Sequence, residues 1–190
     1  MSPRKTNLRE QLVATAAAMI AEQGTAGLTV RAIAKQAGVA DGVLYNHFSD
    51  KEELLAQSLV THVRNVEATL GELPEAGSGS VEANLKAHLA YGLALHRAIL
   101  PAFAGLIGQP AVLERLGDLE NDSWRDRLAA YLHAEKDIGR LRPDADVGTA
   151  AALIVGICHE AVLSGLMPHT PASRKPDVGR IVATVLTGIR

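Results

Sequence analysis

Residues 38–54, GVADGVLYNHFSDKEEL, concentrate hydrogen-bonding side chains in a chain that has only two Phe, three Tyr and one Trp. Tyr45, Asn46 and His47 carry a hydroxyl, an amide and an imidazole, and Phe48 follows them directly. Amide side chains bind the adenine edge in the DNA major groove, and Tyr and other polar side chains bind backbone phosphates. The cluster therefore favours contact with double-stranded DNA.

Three further residues near this cluster fit the same chemistry. Arg31 has the guanidinium that pairs with guanine, and Asp41 could accept a hydrogen bond from cytosine. Asp41 has a second interpretation, as the cap of a short helix. Gly42 has no side chain, so another backbone can come close to it.

The other histidines and the single cysteine give little support for metal or covalent chemistry. His88 and His96 are eight positions apart, about 12 Å along a helix, which is too far to share one zinc ion. Cys158 beside His159 favours a small buried hydrophobe next to a pocket or interface histidine. We predict no catalytic residue, no metal and no cofactor. The alternatives are an all-α enzyme that uses His96, Cys158 or His159, and a ligand-binding protein with an inactive DNA head.

Apolar residues at spacings of three and four predict helices along nearly the whole chain, and no β alternation is found. Glycine and proline clusters predict loops at 74–80, 140–146 and 167–176, with breaks near Pro101 and Pro110. Between these breaks, we predict helices over residues 8–23 and 30–37, a short helix that runs through Leu44 to about His47, and further helices over residues 51–70, 81–99, 111–136, 146–167 and 177–189.

The second and third predicted helices form a helix-turn-helix arrangement. Thr29 caps the second helix and Gly38 ends it. Val39, Leu44 and Phe48 then pack inward, which leaves residues 40, 41, 42, 45 and 46 pointing outward. We therefore predict an all-α protein with an N-terminal three-helix DNA-binding head and a helical body.

Charge and composition set the broad class. Residues 1–51 hold six Lys and Arg against four acidic residues, whereas the other 139 residues hold 13 against 17. No uncharged apolar run reaches about 18 residues, so no membrane span is predicted. The first ten residues lack an apolar signal region, and the single Cys158 fits a reducing compartment. We predict a cytoplasmic protein.

The run from Thr29 to Leu54, TVRAIAKQAGVADGVLYNHFSDKEEL, resembles the DNA-binding region of the tetracycline-repressor (TetR) family. The resemblance covers residues 8–55. This chain has Thr25 where the family often has an aromatic residue, and Ala40 where it often has a capping serine. The matching positions are Thr29, Arg31, Ile33, Ala34, Ala37, Gly38, Val39, Gly42, Leu44, Tyr45, His47, Phe48, Lys51, Glu53 and Leu54.

The resemblance and the chemistry of the side chains together suggest roles for several polar residues of this segment. Thr29, Tyr45, His47 and Lys51 resemble phosphate contacts that set the register on DNA. Arg31 and Asn46 are the better candidates for contacts to base edges. The implied organisation is a DNA-binding domain over residues 1–52 and an effector-binding and dimerisation domain over residues 53–190.

The implied function is a DNA-binding transcriptional regulator, a repressor that binds a palindromic operator as a homodimer. A small hydrophobic or amphipathic effector would release it. The last helix has an apolar stripe that must be covered, and the helix before it has small residues that let another helix approach. The stripe could pack onto its own domain; the resemblance implies instead a four-helix dimer interface, with two helices from each subunit. The predicted interface residues are Ile154, Ala161, Ile181, Val182, Val185, Leu186 and Ile189. The predicted effector-binding residues are Tyr91, His96, Phe103, Trp124 and His159.

Overall fold

The structure, a computed structural model, describes residues 3–25, 27–106, 108–117, 119, 123–166 and 176–189. These ranges contain helices and no β-strand, which confirms the all-α prediction. The predicted loop at 167–176 lies outside the described residues, except for residue 176. The helices are α1 (Pro3–Gln23), α2 (Val30–Ala37), a 3-10 helix (Asp41–Asn46), α3 (Lys51–Leu70), α4 (Val81–Ala104), α5 (Pro110–Gly117), α6 (Trp124–Asp137), α7 (Val147–Leu166) and α8 (Val178–Ile189).

Side-chain caps fix the ends of the short N-terminal helices, as predicted. The Thr29 hydroxyl accepts a hydrogen bond from the Ala32 amide at 3.1 Å and begins α2. Gly38 ends α2 in the left-handed conformation, with φ of 71°, a conformation that glycine adopts at little cost. The Asp50 carboxylate accepts from the Glu53 amide at 2.7 Å and caps α3.

The third helix, predicted to run through Leu44 to about His47, is a 3-10 helix over Asp41–Asn46. Its hydrogen bonds join residues three apart, including Val43 N–H to the Ala40 carbonyl and His47 N–H to the Leu44 carbonyl. Its N-cap residue, Ala40, makes no side-chain cap bond. A six-residue segment without a cap has little helical stability of its own, so burial of Leu44 and Phe48 must hold it in place.

Two predictions about the middle of the chain were wrong. Helix α4 continues through Pro101 to Ala104, although proline removes a hydrogen bond from a helix interior. Burial of Ala102 and Leu106 just beyond the proline stabilises that last turn. The single helix predicted over residues 111–136 is two helices, because Ser123 caps a new one by accepting from the Asp126 amide.

The chain divides into two compact units, Met1–Thr69 with Ala98–Asn121, and Leu70–Arg97 with Asp122–Arg190. The first unit therefore includes the end of α4 and α5, beyond the N-terminal helices. The predicted functional boundary at residue 52 stays a prediction. The first unit has one hydrophobic core, which includes Leu12, Ala16, Ile20, Ile33, Ala34, Leu44, Phe48, Leu54, Leu59, Ala102, Leu106 and Val112.

In the second unit, α6 packs against α7, and α7 against α8. By length and composition alone, Val147–Gly165 could cross a membrane. Glu160 lies within this helix, so no uncharged apolar run of about 18 residues marks it in the sequence. Ala151, Ile154 and Cys158 of the helix are buried within the unit. Core helices have the same length and apolar character, so the observation is weak evidence for a membrane span.

Candidate nucleic-acid interface and effector site

Helix α2 presents two of the predicted DNA-binding residues on an exposed surface. Thr29 and Arg31 are both exposed. The Thr29 oxygen accepts the cap bond from the Ala32 amide, and its hydroxyl proton remains able to donate to a phosphate oxygen. The cap and a phosphate contact are therefore compatible at this one side chain.

The 3-10 helix presents the other predicted contacts in the predicted direction. Leu44 is buried in the core of the first unit, and so is Phe48 just beyond the helix. Tyr45 is 63% exposed, Asn46 is exposed, and His47 is half-buried. The structure therefore leaves the hydroxyl of Tyr45 and the amide of Asn46 on exposed residues, while Leu44 and Phe48 are buried.

Asp41 and Gly42 lie at the exposed start of this helix. A Cβ atom added at Gly42 would meet nothing within 4 Å, so the chain's own packing does not require glycine there. Because the N-cap position belongs to Ala40, Asp41 lies in the first turn, and its side chain is exposed. This geometry leaves room for an approaching DNA backbone and places a carboxylate beside it.

Lys51 begins α3, where helix amide groups also favour an anion. Its Nζ atom lies 3.8 Å from a Glu52 oxygen, and its side chain is half exposed. The neighbouring Asp50 carboxylate accepts from the Glu53 amide and the Arg115 guanidinium. These hydrogen bonds, the Glu53 amide first, lower the Asp50 pKa below its ordinary value. Asp50 is therefore ionised and held by protein groups, and the phosphate contact of Lys51 stays a prediction.

Three of the predicted effector residues come together in the second unit. The ring centroids of His96 and Trp124 are 5.4 Å apart, and those of His96 and His159 are 4.8 Å apart. His96 Nδ1 lies 2.7 Å from the Gly92 carbonyl oxygen; a carbonyl only accepts, so Nδ1 carries the proton. Burial lowers the His96 pKa, and nearby His159 lowers it further, although the Gly92 contact acts in the opposite direction.

The Trp124 indole lies directly on the backbone of Gly92. A Cβ at Gly92 would fall 2.3 Å from the indole Cη2 atom, so only glycine leaves room for the ring. Trp124 is buried, and its Nε1–H has no hydrogen-bond partner within the described residues. A buried donor without a partner costs free energy, and it therefore marks a place where another molecule could accept a hydrogen bond.

The two remaining predicted effector residues occupy different surroundings. Tyr91 is buried in the second unit. Phe103 belongs to the first unit, where it packs against the hydrophobic core. The placement of Tyr91 and Phe103 in different units was not predicted, because α4 was expected to end before Pro101.

A group of buried polar residues in the second unit was not predicted. The rings of His88 and Tyr131 lie 4.3 Å apart, and burial lowers the His88 pKa. Burial, and then the nearby Glu135 carboxylate, raises the Tyr131 pKa. Glu135 is fully buried and pairs with Arg140 at 3.2 Å. Tyr131 and Glu135 are four positions apart on α6, a spacing that could have indicated a shared helix face.

Cys158 is buried, and its environment weakens the catalytic alternative. Burial raises the pKa of the thiol to about 12, although Arg97 acts in the opposite direction. The thiolate is the nucleophilic form of cysteine. Cys158 is therefore protonated at neutral pH and poorly suited to covalent catalysis.

Helices α7 and α8 form an open groove of about 620 Å³ with apolar walls. Among the predicted interface residues, Ile181, Val185 and Ile189 line this groove, whereas Ala161 is half-buried and does not line it. Four of the predicted interface residues are buried inside their own unit, where α7 packs against α8: Ile154 of α7, and Val182, Leu186 and Ile189 of α8. The groove also contains Leu153, which is 58% exposed and was not predicted.

Comparison with known proteins identifies similar chains. An HTH-type transcriptional regulator of Mycobacterium tuberculosis is 29% identical over 181 residues, which cover 94% of this chain and 80% of that protein. The HTH-type transcriptional repressor KstR2 of the same species is 49% identical over 51 residues, which cover 27% of this chain and 26% of the repressor. The higher of these two identities therefore covers a short segment.

The fold is similar to that of solved regulators, and the N-terminal segment matches a family model. The structure of the transcriptional regulator FadR from Bacillus subtilis, in complex with stearoyl-CoA, matches with a TM-score of 0.59 and 22% identity, over 95% of this chain and 99% of that chain. At this identity, the match shows the fold. Residues 12–57, which hold α2 and the 3-10 helix, match the family described as bacterial regulatory proteins, tetR family. The segment that carries the helix-turn-helix is therefore that of the tetR family of bacterial regulatory proteins, and the comparisons relate the chain to regulators of this kind.

Proposed function

We propose that this DNA-binding regulator is a repressor that binds a palindromic operator as a homodimer and leaves it when a small apolar or amphipathic effector binds. The observation that carries the proposal is the 3-10 helix, which buries Leu44 while its polar residues face outward. A segment anchored by apolar residues with polar tips on its outer side suits the major groove.

Base reading and phosphate binding fall to different residues in this proposal. Asn46 pairs with adenine and Arg31 with guanine. Asp41, exposed at the start of the 3-10 helix, accepts from cytosine. The phosphate contacts are Thr29, Tyr45, His47 and Lys51.

The α7–α8 groove supports the proposed homodimer. Leu153, Ile157, Ile181 and Val185 give it an apolar floor, and Asp146, Asp177 and Arg180 lie around them. An apolar groove with a polar rim is typical of a protein–protein interface. A two-fold symmetric dimer would present two reading helices to the two halves of a palindrome.

The effector is proposed to bind beside His96, Trp124 and His159 in the second unit. The indole N–H of Trp124, which has no partner among the described residues, would donate to it. The buried carboxylate of Glu135 is already paired with Arg140 in the second unit, so it does not require a charged group on the effector. We therefore expect the apolar part of the effector to lie in the interior of the second unit. The stearoyl-CoA in the B. subtilis complex likewise has a long apolar chain.

Effector binding and DNA binding are proposed to be coupled by a population shift. An effector that binds the DNA-free conformation tenfold more tightly supplies about 1.4 kcal/mol of coupling. Helix α4 is proposed to transmit this coupling through its backbone, because its residues 81–97 belong to the second unit and its residues 98–104 to the first.

Selection of bound fragments from random double-stranded DNA tests the proposal. We expect an enriched palindromic motif whose half-sites each contain an adenine that depends on Asn46. Enrichment of no motif at any salt concentration would favour the ligand-binding protein with an inactive head. Enrichment of an unsymmetric single site would instead contradict the dimer.

A further inference from the structure

Arg9 of α1 makes three hydrogen bonds to residues 38 to 48 positions later in the chain. Its Nε donates to the His47 carbonyl at 3.2 Å. Its Nη1 donates to Gln57 Oε1, and its Nη2 to Glu53 Oε1, each at 2.7 Å. One guanidinium therefore ties α1 to the end of the 3-10 helix and to the first turns of α3.

The same side chain also covers an aromatic anchor. The Arg9 Cζ atom lies 4.8 Å from the centroid of the Phe48 ring, a cation–π distance. Phe48 is buried in the core immediately after the 3-10 helix. Arg9 therefore contacts both the His47 carbonyl, at the end of the 3-10 helix, and the Phe48 side chain, which anchors this helix in the core.

Glu53 connects Arg9 to the other side of the turn. Its Oε2 accepts from the Ser49 amide at 2.7 Å and from the Ser49 hydroxyl at 2.9 Å. Gln57 Nε2 donates to Oε1 at 3.1 Å. Burial alone would raise the Glu53 pKa, but the hydrogen bonds from Ser49 and Arg9 outweigh it and lower the pKa. The carboxylate is therefore ionised when it binds Arg9.

These contacts matter because the 3-10 helix lacks support of its own. It has six residues, and its N-cap residue makes no side-chain bond. His47, whose carbonyl Arg9 binds, directly follows Asn46. Arginine suits this task, because its guanidinium offers five donors in a rigid plane.

We propose that Arg9 is a positioning residue for base reading, which fixes the orientation of Tyr45 and Asn46 without touching DNA. The proposal rests on the proposed function, since it assumes that these two side chains face an operator. It assigns Arg9 to specific binding and leaves non-specific binding to the phosphate contacts.

The test compares Arg9→Met with Arg64→Met. Arg64 is exposed, and both arginines line the same groove of the first unit, so each variant removes one positive charge from that surface. Affinity for the selected operator and for unrelated DNA is measured over a range of salt concentrations, together with thermal unfolding. We expect Arg9→Met to lose about tenfold or more in operator affinity, to retain affinity for unrelated DNA, and to keep the salt dependence. Arg64→Met should leave operator preference unchanged.

Arg9→Lys adds a second comparison. Lysine keeps the charge but cannot make three planar, directed hydrogen bonds. We expect it to restore little of the operator preference. Full recovery with lysine would show that charge alone is required and would overturn the proposal.

Other outcomes overturn it as well. A salt slope that falls by about 0.9 in Arg9→Met would make Arg9 a phosphate contact. An unchanged operator preference would make it a stability residue only. If Arg9→Met does not fold, Gln57→Leu removes one of the three Arg9 hydrogen bonds, together with the bond from Gln57 to Glu53. It must lower operator preference by a smaller factor; unchanged preference overturns the proposal. Failure of the wild-type protein to select any operator would instead overturn the proposed function.

Discussion

Tyr45 and Asn46 are neighbours on one exposed turn, but we expect their removal to have different consequences. Tyr45→Ala should weaken the operator and unrelated DNA by a similar factor, because a phosphate contact carries no sequence information. Binding selections and titrations with both kinds of DNA measure this. A changed operator motif would move Tyr45 from phosphate binding to base reading.

Asn46→Ala should relax the base preference at one symmetric position of the operator by about 1–3 kcal/mol. Overall affinity for unrelated DNA should stay the same. Both side chains are exposed, so neither substitution should change the free energy of unfolding by more than about 0.5 kcal/mol. An unaltered motif in the Asn46→Ala selection would remove this residue from base reading.

The outward direction of these residues could be predicted because it depends on local order. Leu44 and Phe48 are apolar and Tyr45 and Asn46 are polar, so burial of one pair orients the other. Arg9 could not be found in this way. Its partners are 38 to 48 positions away, and an arginine on the polar side of a helix looks like a solvated residue until the fold brings those partners to it.

The turn between α1 and α2 is tied to the end of α4 by one close contact. The Thr25 hydroxyl donates to the Ala102 carbonyl at 2.9 Å, and a Cβ at Gly105 would lie 2.4 Å from the Thr25 oxygen. Gly105→Ala should therefore destabilise the protein by about 1–3 kcal/mol. A favourable loop alanine usually stabilises by about 0.4–1 kcal/mol, so the sign of the change is diagnostic.

Two comparisons isolate this contact. Gly108→Ala is the matched control, because a Cβ there would meet nothing within 4 Å. The second is Gly105→Ala in a Thr25→Ala background, where the obstructing hydroxyl is gone and the loss should shrink. Chemical unfolding measures five proteins: the wild type, Gly105→Ala, Gly108→Ala, Thr25→Ala and the variant with both Thr25→Ala and Gly105→Ala. Equal losses from Gly105→Ala in both backgrounds would refute the close-contact explanation.

Helix positions followed from periodicity, whereas their ends depended on tertiary contacts. Thr29, Gly38 and Asp50 mark their ends through local chemistry, so the sequence predicted them. Pro101 was expected to end α4, but burial of Ala102 outweighs the local preference. Periodicity could not reveal that the segment from residue 98 onward belongs to the first unit, because this grouping depends on contacts with residues far earlier in the chain.

The α7–α8 groove allows the dimer to be tested by a substitution that leaves the fold of the single chain intact. Leu153 lines the groove and is 58% exposed, so Leu153→Arg should leave the fold of one chain intact. In a dimer, the same arginine would be a buried unpaired charge, which costs several kcal/mol. Sedimentation should show monomers, and affinity for the palindrome should fall to that of a single half-site.

Ile138→Arg is the matched control for the dimer prediction. Ile138 is 55% exposed and lies at the end of α6, outside the residues that line the groove. This variant should remain dimeric. Dimers of Leu153→Arg that bind the palindrome normally would place the interface on another surface.

Trp124 tests whether effector and DNA act through one equilibrium. It lies in the second unit, and the proposed DNA contacts lie in the first. If the effector contacts the indole, Trp124 fluorescence should change over the same concentration range that releases DNA, and operator DNA should weaken effector binding by the factor by which effector weakens DNA binding. Trp124→Leu keeps an apolar side chain but removes the N–H donor. We expect it to blunt the effector response and to leave DNA affinity without effector within about threefold, a change below 1 kcal/mol. Loss of bare DNA affinity in a folded Trp124→Leu protein would instead assign Trp124 to the packing that supports the DNA-binding conformation, and an unchanged effector response would remove it from the site.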